Sequence, residues 1–89
     1  MARIHITSTE DAVAVIAAYS TRAIAQGDHP GHDLTTVGTH LTSDLVFNAI
    51  RDAYERHIAK GATPKDAIIR VGQALIAAYC TRANIPATR

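Results

Sequence analysis

Three stretches of the chain space their apolar residues as helices do, and a fourth alternates. From Ser43 to about Lys60, Val46, Ile50, Ala53, Tyr54, His57 and Ile58 fall on one stripe while Asn48, Arg51, Asp52, Glu55 and Arg56 lie opposite, which predicts an amphipathic helix. Thr42 or Ser43 can cap it, Asp44 suits its positive end, and Gly61 stops it. Arg51/Glu55 and Asp52/Arg56 stand four apart as opposite charges. An earlier helix is predicted over about 10–26, because Thr7-x-x-Glu10 and Ser8-x-x-Asp11 both have capping-box spacing and Gly27 ends it. A later one is predicted over about 64–84, where Thr63 caps, Pro64 takes the first helical position and Asp66 completes the box.

Between the first two helices, GDHPGHDLTTVGTHLT is rich in Gly, Pro, Asp and Thr, and reads as a long loop with at most a turn of helix around Leu34–Val37. Ahead of the first helix, ARIHIT sets Ala2, Ile4 and Ile6 against Arg3, His5 and Thr7, as a half-buried strand would. A lone strand leaves its backbone groups unpaired, so this arm calls for a partner, and a second copy's arm is the nearest candidate.

The first and third helices share a segment. VIAAYSTRA at 15–23 and LIAAYCTRA at 75–83 agree at seven of nine positions. One helical segment occurring twice is not a solenoid. Small residues such as these let helix backbones approach closely, and each Tyr-x-x-Arg pair, Tyr19/Arg22 and Tyr79/Arg82, can alternatively hold an anion or a carboxylate. Both helices are apolar on nearly every side at their middles, AVAVIAAY and ALIAAYC, and a helix apolar all round must be covered all round. With one amphipathic helix to cover two such helices, the expected fold is all-α: a three-helix bundle unit with a short extended arm at 2–7, completed by dimerisation. The expected interface takes in Ile4, Ile6, Val15, Ala18, Tyr19, Leu75, Ala78 and Tyr79.

Eighty-nine residues accommodate one domain, 1–89, close to the size where one core is only marginally sufficient. Nine Lys and Arg against eight Asp and Glu leave a formal charge of +1, so charge does not argue for nucleic acid. The lone Cys80 has no internal disulfide partner and sits in an apolar run, which suits a buried thiol in a reducing compartment. MARIHITST has no apolar run of signal-peptide length, and the expectation is a cytoplasmic chain without a membrane partner.

His29 and His32 in DHPGHD are the candidate metal ligands, but HxxH in a loop without a second ligand pair is expected to be simply polar. His57 reads as a histidine at the edge of the core. No phosphate loop, nucleophile elbow or bracketed pair of carboxylates is present in the sequence, so neither catalytic residues nor cofactor are expected.

The arm followed by a helix and then GTHLTSDLVFNAIRDAYERH resembles the ribbon-helix-helix DNA-binding family, over the first two thirds of the chain, through Ser43, Asp44, Leu45, Ala49, Ile50 and Arg51. The resemblance implies a dimeric repressor whose paired arms enter the major groove, with Arg3, His5 and Thr7 on base edges and Thr42 and Ser43 at a phosphate. Basic residues are spread among acids along the whole chain, which favours the other function: a non-enzymatic helical module acting as a homo-oligomer through protein contacts, as adaptor, regulator or inhibitor, with a protein partner still to be named.

Overall fold

The computed structural model describes residues 8–85, and the arm residues Ile4, Ile6, Arg3, His5 and Thr7 lie outside them. Four helices follow one another: α1 Thr9–Ala25, α2 Leu34–Leu41, α3 Asp44–Ala59 and α4 Pro64–Arg82. No strand occurs among the described residues. The fold is all-α, as the sequence implies.

Local chemistry sets most of the boundaries. Of the two capping spacings ahead of α1, Ser8 is the one used, its hydroxyl accepting from the Asp11 N–H at 3.1 Å. Thr63 does the same for Asp66 at 3.2 Å, with Pro64 opening α4. Gly61 takes φ +98° beyond the end of α3, where the Ala62 and Gly61 N–H groups reach back to the carbonyls of His57 and Ile58. Asn84 repeats that turn with φ 59° after α4.

α2 is the correction to the three-helix expectation. The loop predicted over 27–42 holds two turns of helix, α2, rather than one turn at Leu34–Val37. Asp33 caps it by accepting from the Thr36 N–H at 2.9 Å, and Val37 and Leu41, four residues apart, are both buried. Three threonines and a glycine are poor helix formers, so burial of those two side chains, not propensity, holds the element.

α1 lies at the centre and touches the other three helices. Ala12, Val13, Ile16 and Ala17 join Ile50, Tyr54, Ala67 and Val71 in one buried cluster. Ile24, Val37 and Leu41 form a second, with Leu75, Ile76 and Tyr79 packed on it. Tyr19 and Ser20 stand beside Gly72. α1 and α4 therefore run in the same direction, from Ala12 near Ala67 to Ile24 near Tyr79. α3 runs the other way: Arg51 reaches Glu10 at the start of α1 with a 2.6 Å ion pair, instead of pairing with Glu55 on its own helix.

The cover for α1 comes largely from its own chain, because α2 supplies the side that a three-helix unit would leave open. Ala14 and Ala18 remain exposed on it. α4 is less enclosed: Ala74, Ala77 and Ala78 are exposed, and Leu75, Ile76, Tyr79 and Cys80 are half-buried. Cys80 is a free thiol and is not fully buried.

Candidate interaction surface

Two open hollows of similar size flank the bundle. One, about 590 Å³, lies between α1, α2 and α3, where Ala14, Ala18, Leu34 and Phe47 line it with Arg22 and Asp44. The other, about 600 Å³, lies between α2, α3 and α4. Its floor is Leu41, Val46 and Leu75, and its walls are Leu45 and Ala49 of α3 and Ala78 and Tyr79 of α4, with Ala83 just past the end of that helix. Thr36, His40 and Arg82 line it as well, so the groove combines an apolar bed with polar groups and one cation, Arg82, at its border.

Leu45 is the most exposed large apolar side chain among the described residues, at 82%. It stands one residue before the half-buried Val46, which on a helix turns it about 100° away from the inward stripe that Val46 shares with the buried Ile50. A leucine this exposed beside an unfilled apolar groove leaves in water what a partner would cover.

Tyr79 belongs to the α4 wall of the groove. Its hydroxyl and His32 Nδ1 are hydrogen-bonded at 2.7 Å, and the rings of His32 and His40 meet it edge-on at 5.5 and 5.6 Å. Burial, and secondarily the neighbouring Cys80, raise the Tyr79 hydroxyl above the usual tyrosine range. The Thr36 hydroxyl, and after it the Thr36 N–H, hold the Asp33 carboxyl below its usual value.

The expected interface residues do not share one surface. Leu75, Ala78 and Tyr79 meet in the α2–α3–α4 groove, Ala18 lines the opposite hollow, and Val15 is half-buried on α1. Tyr19, half exposed, rests on the backbone of α4 at Gly72. The two Tyr-x-x-Arg pairs likewise point to different places: Arg22 borders one hollow, and Tyr79 with Arg82 the other. Leu45, Ala49 and His40 complete the groove and were not among the expected interface residues. Leu45 was legible as an apolar residue set off the stripe of its helix.

His29 and His32 both border a small polar hollow with Asp28 and Asp33, but they turn to different tasks. His32 bonds Tyr79, and His29 folds over Gly27, where a Cβ would lie 2.6 Å from its Nε2. Among the described residues no group of three His, Cys, Asp or Glu side chains is placed to hold a metal ion. Thr42 and Ser43 turn their hydroxyls to the carbonyls of Gly38 and His40, at 2.7 and 2.8 Å, and so finish α2. Ser43 begins α3 in extended backbone geometry without a side-chain cap bond. Among the described residues, no helix is long and apolar enough to cross a membrane.

These features define a small all-helical bundle with an apolar groove on one flank. No protein-family model, curated protein or solved structure matches the chain.

Proposed function

We propose that this protein is a non-enzymatic helical interaction module that works as a homo-oligomer, an adaptor or regulator acting through protein contacts in the cytoplasm. The observation that carries the reading is the open apolar groove between α2, α3 and α4 with Leu45 exposed at its wall. Apolar side chains with Arg82 at their edge suit the docking of a partner's side chains. A domain of this size also has little core to spare, so burying a further few hundred Å² of apolar surface, at about 25 cal/mol per Å², is a large gain beside its own stability.

The test is the mass in solution, by light scattering coupled to size exclusion over a range of concentrations. A dimer or larger species supports the reading, and a folded monomer of 9.5 kDa throughout that range removes it. Sequence-selective retardation of duplex DNA at low salt, weakened by Arg3→Ala by about 1–3 kcal/mol, would instead favour the ribbon-helix-helix reading.

A further inference from the structure

The geometry points to a second copy of this chain as the occupant of the α2–α3–α4 groove, docked through α3 about a two-fold axis at Ala49. The inference rests on the homo-oligomer reading and goes beyond it by naming the face and its register.

A groove of this kind needs an apolar ridge from its partner, and α3 itself carries one. Leu45, Ala49 and Asp52 follow at intervals of four and three residues, are all exposed, and so lie on one side of the helix. Across the groove, α4 presents Ala78 and Arg82, and Ala74, four residues before Ala78, continues their strip beyond the groove's lining; all three are exposed. The first strip spans roughly 10 Å and the second roughly 12 Å at 1.5 Å per residue. Each reads apolar, small or apolar, then charged, with opposite signs at the end.

The directions agree. A two-fold axis at Ala49 makes the partner's α3 antiparallel to α3 in this copy, and α3 is itself antiparallel to α4. The docked helix then runs parallel to α4. Its leucine meets Ala74, its alanine meets Ala78, and its aspartate meets Arg82. Arg51 pairs with Glu10, whereas Asp52 and Arg82 form no ion pair among the described residues, so docking has no intrachain salt bridge of theirs to break. Alanines at the crossing let the backbones approach, and the isologous arrangement fills both grooves at once.

The contact requires nothing of the monomer's core. Leu45 is 82% exposed, so Leu45→Lys removes the ridge while leaving the fold intact. The experiment is dimer dissociation followed by light scattering and sedimentation on the full chain, with circular dichroism on each variant. Leu45→Lys is expected to be monomeric with unchanged helix signal. Asp52→Arg and Arg82→Asp are each expected to raise the dissociation constant by about tenfold or more, and the double charge swap to bring it back toward wild type. As a measurement independent of these variants, Ala49→Cys in a Cys80→Ser background is expected to cross-link to its own counterpart under mild oxidation, and Glu55→Cys to do so far less.

A dimer indifferent to Leu45→Lys, or a charge swap that restores nothing, overturns this docking while leaving the homo-oligomer reading in place. A wild-type chain that stays monomeric overturns both.

Discussion

The segments 15–23 and 75–83 share seven of nine residues, yet the bundle puts them to different uses. In α1, Ile16, Ala17 and Ser20 are buried within the chain; in α4 their counterparts Ile76, Ala77 and Cys80 are half-buried, exposed and half-buried. The cause is a stagger. The helices run in parallel but out of step, so that Ser20 lies against Gly72 rather than Cys80, a little over two turns further along. α1 thereby receives neighbours from three helices, while the last turns of α4 keep an open flank. Identical residues at identical helical positions do not imply identical burial, because burial is a property of what lies opposite.

The largest expected difference is at the shared isoleucine. Ile16 is fully buried, and Ile16→Ala should cost about 3–5 kcal/mol, whereas Ile76→Ala, at a half-buried site able to relax, should cost about 1–2 kcal/mol. Urea unfolding of the two variants measures both, and equal costs would break the comparison. Next comes the crossing itself. A Cβ at Gly72 would stand 3.2 Å from the ring of Tyr19, so Gly72→Leu should destabilise by about 1–3 kcal/mol as the ring is forced away from α4. Thermal unfolding combined with Tyr19→Ala, which makes room, should recover part of that loss.

A smaller effect of opposite sign is expected at Ser20. Its side chain is fully buried and its Oγ has no hydrogen-bond partner among the described residues, so Ser20→Ala should stabilise by about 1 kcal/mol through removal of an unsatisfied hydroxyl. Cys80→Ala, at the equivalent half-buried place, should change stability by less than about 1 kcal/mol. The midpoint of denaturant unfolding separates the two.

The smallest expected contrast is between the tyrosines. Tyr79→Phe loses the bond to His32 and should cost about 0.5–1.5 kcal/mol, while Tyr19→Phe should change little. The Tyr79 hydroxyl is raised above 10.0, chiefly by burial, so the folded chain holds this proton more tightly than the unfolded chain does. Its stabilising contribution is complete below the unfolded value and is lost as pH rises past it toward the folded one. Denaturant melts through that alkaline range should fall less steeply for Tyr79→Phe than for the wild type.

The residues that start and stop helices act within a few positions of themselves, and those were legible. Ser8, Thr63, Pro64 and Gly61 each do what their spacing implies, because a cap is satisfied by the backbone of its own turn. The stripe on α3 was legible for the same reason, and Ile50 and Tyr54 are indeed its buried members. Asp33 and α2 were not. Apart from the Asp33 cap, little local favours a helix in LTTVGTHL, which is rich in Thr and carries a Gly, until Val37 and Leu41 meet Ile24 and the last turns of α4. Arg51 was a similar case, since its partner Glu10 lies 41 residues away and outreaches the local Glu55.

The candidate site divides in the same way. Its α4 wall, Leu75, Ala78 and Tyr79, was marked by the repeated segment, whereas Leu45, Ala49 and His40 were brought to it by packing. By itself the sequence determined the helical class, the starts of α1 and α4, the end of α3 and which face of α3 turns inward, since caps, turns and periodicity are interactions of near neighbours along the chain. Only the tertiary structure decided that α2 forms, that α1 and α4 run parallel out of step, and that the uncovered apolar surface lies beside Leu45. Each of these depends on which distant residues come to lie opposite one another, and no local preference encodes that.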